Sequence, residues 1–257
     1  MNPAFDPTLL SRIEDAGLNA SAPPQQRWMD GWLLRFSPGK AKRARCINAV
    51  SDGRLPIGAK LALCEPVFSA AELPLIVRIT PFSRPLGLDA YLEQRGMERI
   101  DDTRVMVCAT LDGLPPARLP PGCRLERVGH HAFAQAVGQL RGSPLVQRQA
   151  HAERLEHAPV PFQGWIVKDE DAIVIACGQM ALEAELVGVY DVYTAVSHRG
   201  RGIARGLCLH LLHSAREQGG RVGYLQVEGD NHPARKVYQG IGFADAYAYH
   251  YRGADGG

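Results

Sequence analysis

The chain has 257 residues, of which 46% are hydrophobic and 22% are charged, the balance of a globular protein rather than a disordered or fibrous one. Its 29 Lys and Arg residues against 27 Asp and Glu residues leave a net charge of +2, which argues against nucleic acid or an anionic membrane as the main partner. There is no apolar run of about 18 residues, and the scattered cysteines lack metal-ligand or CxxC spacing. These features predict a cytoplasmic protein without a membrane span or a bound metal.

The first half of the chain carries three predicted elements. Strands are predicted at Gly31–Phe36 and Leu75–Ile79, and a short helix at Pro85–Gln94. Between the two strands lies a basic run, Lys40–Arg45. We interpret this run as a solvated hairpin edge that its charges protect from aggregation, with contact to nucleic acid or to an acidic substrate as the alternative.

A proline-rich segment divides the chain. Residues 114–122 contain four prolines and a glycine, which suit neither a helix interior nor a central strand. We therefore predict two domains, residues 1–113 and 123–257, joined by this linker.

The second half alternates strand and helix patterns. Strands are predicted at Cys123–Val128, Gly164–Val167, Ala172–Ala181, Leu186–Val196 and Tyr224–Glu228, and from Phe243 to Tyr251. Helices are predicted at His131–Leu140, Leu145–Glu156, Gly202–Gln218 and Ala234–Ile241. The histidines on the first two of these helices are interpreted as solvent-exposed, with contact to a substrate as the alternative.

A glycine-rich turn connects a predicted strand to the longest predicted helix. Its sequence is Arg199-Gly-Arg-Gly-Ile-Ala204. The first N–H groups of a helix have no intrahelical partner, and the helix dipole is positive at that end. Glycines let an anion approach the backbone closely, so this turn is suited to a pyrophosphate. Taken alone, the pattern also fits other nucleotides or a purely structural turn.

A second motif follows the next predicted strand. It runs Asn231-x-x-Ala-x-x-x-Tyr238-x-x-x-Gly-Phe243. Together with the Arg-x-x-Gly-x-Ala pattern of the turn, it resembles the GNAT family of acyl-CoA-dependent N-acetyltransferases, over roughly residues 123–252. The resemblance implies an α/β (α+β) fold in which a mixed, mostly antiparallel sheet is flanked by helices.

The resemblance also implies roles for individual residues. The turn would hold the pyrophosphate of acetyl-CoA, the strand before it would pair with the pantetheine arm, and Asn231 would lie near that arm. Tyr238 would protonate the departing thiolate. The implied cofactor-binding residues are Thr194, Ala195, Val196, Arg199, Gly200, Arg201, Gly202, Ile203, Ala204 and Asn231.

The chemistry requires a proton acceptor as well, because an amine must be neutral before it attacks a thioester. Asp191 lies on the predicted strand that leads to the turn, and Glu228 ends the next predicted strand. Both are candidates for the base, and the sequence does not choose between them. We predict direct transfer of an acetyl group from acetyl-CoA to a primary amine on a small molecule or peptide. The alternative is a non-catalytic acyl-CoA sensor, and a homodimer is left open.

An internal comparison indicates a second, diverged unit in the first half. The sequence Ala-Val-Ser at Ala49–Ser51 recurs at Ala195–Ser197, 146 residues later. At the same spacing, Gly53, Pro56 and Leu92 stand in place of Arg199, Gly202 and Tyr238. Proline lacks an N–H group and leucine cannot donate a proton. We therefore expect tandem GNAT-like units, of which the first binds no CoA and has a structural or substrate-shaping role.

Overall fold

The computed structural model describes residues 1–38 and 41–253. Lys40 of the basic run and the last four residues of the second predicted domain lie outside the described residues. The α-helices of the described residues are α1 (Pro7–Ala20), α2 (Ile57–Ala70), α3 (Leu88–Gln94), α4 (His130–Leu140), α5 (Leu145–Glu156), α6 (Ile203–Glu217) and α7 (His232–Gln239). The strands are β1 (Gln26–Met29), β2 (Trp32–Arg35), β3 (Ile47–Ala49), β4 (Ile76–Ile79), β5 (Glu98–Cys108), β6 (Arg124–Val128), β7 (Phe162–Lys168), β8 (Val174–Glu183), β9 (Leu186–Thr194), β10 (Val222–Glu228) and β11 (Ala244–Gly253).

All eleven described strands form one open sheet, in the order β1-β2-β3-β4-β11-β5-β10-β9-β8-β7-β6. Two neighbouring pairs are parallel, β3 with β4 and β9 with β10, and the other pairs are antiparallel. The predicted fold class, a mixed and mostly antiparallel sheet flanked by helices, is confirmed. None of the described helices combines the length and the apolar composition that crossing a membrane requires.

The two halves of the chain exchange their last strands. Strand β5 of the first half lies between β10 and β11, and β11 of the second half lies between β4 and β5. Each half therefore completes the sheet of the other, although the sequence linker separates them. The division into residues 1–113 and 123–257 stays a prediction about sequence units.

The spacing of 146 residues recurs in the positions of the elements. Helices α2 and α6 begin at residues 57 and 203, strands β4 and β10 at 76 and 222, and strands β5 and β11 at 98 and 244. Each parallel strand pair thus has a helix between its two strands and an exchanged strand after it. This arrangement agrees with the predicted tandem GNAT-like units.

Helix α6 anchors the second half by its apolar stripe. Leu207, Leu211 and Leu212 are fully buried against the sheet and α7. Burial of each such side chain stabilises the fold by roughly 1.5–3 kcal/mol. Because this stripe fixes the helix against β8 and β9, it also fixes the position of the glycine-rich turn at its N-terminus.

Candidate active site

A cleft opens where the parallel strands β9 and β10 separate. The two strands pair only at Leu186–Val189 with Val222–Leu225, yet β9 continues to Thr194 and β10 to Glu228. Beyond Val189, β9 keeps its hydrogen bonds to β8, while β10 keeps its bonds to β5. The edge of β9 that faces the cleft is thereby left to an extended ligand with amide groups.

The glycine-rich turn lies at the end of this cleft. A 3-10 turn, Val196–His198, leads from β9 into it, and Gly202 is the N-cap of α6 without a side-chain cap. Gly200 and Gly202 have φ of +76° and +82°, and a Cβ added at either would meet no atom within 4 Å. The backbone conformation, rather than crowding, therefore explains these two glycines. The uncapped N–H groups are suited to an anion, and the anion site itself stays a prediction from the sequence.

The two arginines of the turn fold back onto it. Arg199 Nε donates to the Thr194 carbonyl at 3.2 Å, and Arg201 Nη2 donates to the Ser197 carbonyl at 3.2 Å. The Arg199 guanidinium also lies over the Tyr193 ring, 5.4 Å from its centroid. Both positive charges thus stay close to the helix N-terminus.

The backbone at the end of β9 is partly engaged. Ala195 donates its N–H to the Ile175 carbonyl at 2.8 Å and accepts from the His198 N–H at 2.9 Å. Only the second lone pair of its carbonyl therefore remains for a ligand. The Thr194 hydroxyl is buried and makes no hydrogen bond within the described residues. An orphaned hydroxyl at this point fits a ligand with amide groups, such as a pantetheine arm.

A cavity of about 830 Å³ adjoins the cleft and brings four predicted residues together. Asp191, Glu228, Asn231 and Tyr238 all line it. The cavity reaches the turn through Tyr193, which also lines it and carries the Arg199 guanidinium on its ring.

Tyr238 is buried on α7, with its ring against the edge of Phe243 at 6.1 Å. Its hydroxyl makes no hydrogen bond in the part of the chain that the structure describes. Burial raises the pKa of Tyr238, so the phenol stays protonated at neutral pH and beyond. A protonated phenol at this place can serve as a proton donor.

Asn231 has a structural function in addition to its place on the cavity wall. Its Oδ1 accepts the Ala234 N–H at 3.2 Å and so caps the N-terminus of α7. This cap helps to hold the helix that carries Tyr238.

Asp191 lies at an irregularity of the β8–β9 register and has a φ of +50°. Its carboxylate accepts from Gln179 Nε2 at 2.8 Å and lies 3.2 Å from Arg141 Nη1. His151 Nε2 lies 3.4 Å from Oδ2 of the same carboxylate. Burial acts to raise the pKa of Asp191, but the His151 hydrogen bond and the Arg141 charge outweigh it and hold the pKa well below its usual range.

The interpretation of the helix histidines as solvent-exposed is wrong for His151. Its side chain is only 15% exposed and lines the cavity beside Asp191. The reason is that α5 turns its polar residues Arg148, His151 and Arg154 toward the cavity, while Leu145 and Val146 face outward. The spacing of three residues between these polar side chains was the available indication in the sequence.

Glu228 ends β10 and is exposed, although it lines the same cavity. Within residues 1–38 and 41–253 its side chain has neither an ion pair nor a hydrogen bond. It is therefore free to accept a proton or to contact a cationic substrate.

Residues of the first half also line the cavity, and they correct the interpretation of the basic run as a solvated edge. Lys42 pairs with Asp101 at 3.0 Å, and Arg43 donates to Gln226 Oε1 on β10. The run is not a hairpin edge there, because a 3-10 turn at Lys42–Ala44 packs it against the central strands.

In the first half, the turn that corresponds to the glycine-rich turn binds a carboxylate of the protein itself. Asp30 accepts from the N–H groups of Arg54 and Leu55 at 2.8 and 2.9 Å, and these residues stand 146 positions before Gly200 and Arg201. Lys60, which is fully buried, lies 3.3 Å from the same carboxylate. The hydrogen bonds from Leu55 and Arg54 lower the pKa of Asp30, so it is a permanent anion at this helix start.

Two cysteines lie near the site. The Cys177 thiol donates to the Asp191 carbonyl at 3.5 Å, and Cys208 is buried close enough to influence Tyr238. Burial raises the pKa of both thiols to about 12. Neither therefore offers a reactive thiolate at neutral pH.

Comparison with known proteins gives consistent findings. A family model described as acetyltransferase (GNAT) family matches residues 133–243. An uncharacterized N-acetyltransferase of Bacillus subtilis, YobR, is 24% identical over 229 residues, which cover 88% of this chain and 91% of that protein.

Solved structures with the same fold include a GCN5-related N-acetyltransferase from Kribbella flavida, with a TM-score of 0.70 and 16% identity over 96% of both chains. A tandem GNAT protein from the clavulanic acid biosynthesis pathway has a TM-score of 0.63 and 17% identity, and the match covers 81% of this chain and 74% of that one. At these identities, both likenesses show that the fold is shared.

Proposed function

We propose, from the premise that this chain is an acyltransferase of the GNAT family through its domain at residues 133–243, that it transfers an acetyl group from acetyl-CoA to a primary amine. The acceptor would be a small molecule or a peptide, and the transfer would be direct.

One observation carries the proposal. The uncapped N-terminus of α6, with Gly200 and Gly202 at positive φ, stands at the end of the cleft between β9 and β10. Its N–H groups suit a pyrophosphate, and the free edge of β9 with the orphaned Thr194 hydroxyl suits a chain of amides. Acetyl-CoA contains both groups and would supply the acetyl thioester.

Tyr238 is proposed as the general acid. Its raised pKa keeps a proton on the hydroxyl at the working pH, and no protein group in the described residues competes for that proton. From the cavity wall it would protonate the leaving sulfur.

The base is proposed among the carboxylates predicted from the sequence and the histidine that the structure adds. Asp191 stays ionised, but its low pKa makes it a weak proton acceptor, so its part is to orient His151. His151 or the unpaired Glu228 would then take the proton from the ammonium group of the substrate.

Direct transfer is favoured because no cysteine lines the cavity within the described residues, and the two nearby thiols are held protonated. We also propose that the first half binds no CoA. Asp30 already takes the anion position there, and Pro56 lacks the N–H group that Gly202 has.

Calorimetric titration with acetyl-CoA tests the cofactor assignment. We expect one site per chain, and a loss of about tenfold or more in affinity for Gly202→Ala, because the L side chain disfavours the φ that aims the N–H groups. Gly219→Ala is the matched control, since Gly219 has a φ of +100° and equally open surroundings at the other end of α6. Equal losses in both variants, or no binding by the unaltered protein, would overturn the assignment.

A further inference from the structure

Two guanidinium groups from different halves of the chain line the cavity. Arg43 comes from the 3-10 turn of the first half, and Arg154 comes from α5 of the second half. Nothing in the proposed transfer chemistry uses either of them.

Neither arginine has a carboxylate partner within the described residues. Arg43 donates to Gln226 and lies over the Tyr190 ring, 5.8 Å from its centroid. Arg154 has neither a hydrogen bond nor an ion pair there. A guanidinium has five N–H donors, so most of the donors of this pair are left for a ligand.

The two groups also repel each other. Burial lowers the pKa of Arg154; the negative charge of Asp191 opposes this effect, and the positive charge of Arg43 adds to it by a smaller amount. Unpaired like charges in a partly buried place are unfavourable unless an anion joins them. Their persistence in one cavity therefore indicates a negatively charged ligand.

The other carboxylates of the cavity are accounted for. Asp191 is held by Arg141 and His151, and Asp101 pairs with Lys42. Glu228 is exposed to solvent at the end of β10. None of the three makes an ion pair with Arg43 or Arg154 within the described residues, although the charge of Asp191 favours the charged form of Arg154.

Arg43 lies on the side of the cavity away from the cofactor turn. Along β9, Tyr190 contacts Arg43, Asp191 contacts His151, and Tyr193 contacts Arg199 of the turn. Tyr190 is four residues before Thr194, which is about 13 Å along a strand. An anion at Arg43 is thus well separated from the pyrophosphate position and lies past the proposed base.

We propose that the acceptor amine carries a carboxylate, and that Arg43 and Arg154 bind it. The inference rests on the proposed function and names the substrate class: amino acids and related amino carboxylates. Guanidinium groups bind carboxylates through paired, charge-assisted hydrogen bonds. Since one arginine comes from each half, the first half shapes the acceptor site directly.

The first test needs no turnover. Thermal unfolding is compared in sodium malonate and in sodium chloride of equal ionic strength for the unaltered protein, Arg43→Gln, Arg154→Gln and Arg27→Gln. Arg27 is an exposed arginine of β1 that does not line the cavity, so its variant is the control. For the unaltered protein and for R27Q, we expect the Tm to be higher in malonate than in chloride. For R154Q and R43Q, we expect this difference in Tm to be smaller. An equal rise in all four proteins would overturn the proposal.

The second test uses acetyl transfer. Acetyl-CoA is the donor, and two sets of acceptors are compared. The first set is 4-aminobutyrate and the common L-amino acids, and the second set is their carboxamides. We expect the best carboxylate to exceed its amide in kcat/KM by about ten- to hundredfold, the effect of a charge-assisted hydrogen bond. R154Q should reduce that preference through KM, while R27Q keeps it.

Two results would overturn the proposal. One is faster acetylation of the carboxamides or of simple amines. The other is a preference for succinyl-CoA with neutral amines, which would assign the carboxylate to the acyl donor. Failure of acetyl-CoA binding in the calorimetric titration would instead mark failure of the proposed function itself.

Discussion

The His151 imidazole Nε2 lies 3.4 Å from Asp191 Oδ2, in the cavity that Tyr238 also lines. The carboxylate is fixed by Arg141 and Gln179, so it can hold the imidazole in one orientation. A carboxylate with a lowered pKa beside a histidine is suited to positioning a proton acceptor.

The first prediction concerns this pair. Asp191→Asn should lower kcat by about tenfold or more, with little change in acetyl-CoA affinity, because His151 loses its orienting charge. His151→Gln should lower kcat by about 10²-fold, the usual contribution of a general base. If the two residues act as one unit, the double variant should be no slower than H151Q alone.

Glu228→Gln provides the contrast for the same assay. If Glu228 is the base, this variant takes the large loss in kcat, and H151Q and D191N stay close to the unaltered enzyme. Full activity in all three variants would remove both candidates.

The second prediction is a pH dependence of stability. Because the pKa of Asp191 is lowered in the folded protein, its ion pairs stabilise the fold above the unfolded pKa of about 3.9. This contribution is lost as the pH falls through the lower folded pKa. Denaturant unfolding of the unaltered protein and D191N should therefore differ from pH 5 to 7 and converge in stronger acid. A constant difference down to the acid limit would contradict this account.

The third prediction concerns Tyr238→Phe. We expect kcat to fall by about 10²-fold, since the proton donor is lost. The Tm should be unchanged, because the hydroxyl makes no hydrogen bond within the described residues. Since burial raises the pKa of Tyr238, its deprotonation should not cause a loss of activity between pH 7 and 9. Full activity of Y238F would remove the assignment of Tyr238 as general acid.

The sequence predicts those parts of the site that depend on local backbone geometry. The glycine-rich turn at the start of α6 and the short helix that carries Tyr238 follow from residue type and spacing. The sequence offers contact of His151 or of Arg43 with a substrate only as an alternative interpretation. Their positions depend on how α5 and the 3-10 turn pack against strands far away in the chain.

Sequence patterns also do not predict the exchange of β5 and β11 between the two halves. The repeat at a spacing of 146 residues indicates a second unit in the first half, and in the structure α2 and α6, like β5 and β11, begin at that spacing. It carries no information on whether β11 pairs within its own half or enters the other half. Hydrogen bonding along an edge strand is satisfied equally well by either partner.

The fourth prediction concerns the carboxylate in the first half. Asp30→Ala should lower the Tm by several degrees, because Lys60 is fully buried and would lose its counter-charge. Asp30→Asn should lower it less, since the amide oxygen still accepts from the Leu55 N–H. Calorimetry should still find one acetyl-CoA site in both variants, because Pro56 removes an N–H group from that turn. A second site in D30A would show that only Asp30 keeps the first half silent.

The fifth prediction follows from the exchange of β5 and β11. Residues 1–113 expressed alone would lack β11 and so expose the facing edges of β4 and β5. Residues 114–257 expressed alone would lack β5, which separates β10 from β11. We expect each fragment to aggregate or to remain unfolded, since unpaired strand edges are exposed. Coexpressed fragments should assemble into a complex that contains one copy of each fragment. Size-exclusion chromatography and circular dichroism would detect it. A folded, monomeric second fragment that binds acetyl-CoA would mean that the second half can close its own sheet without the first.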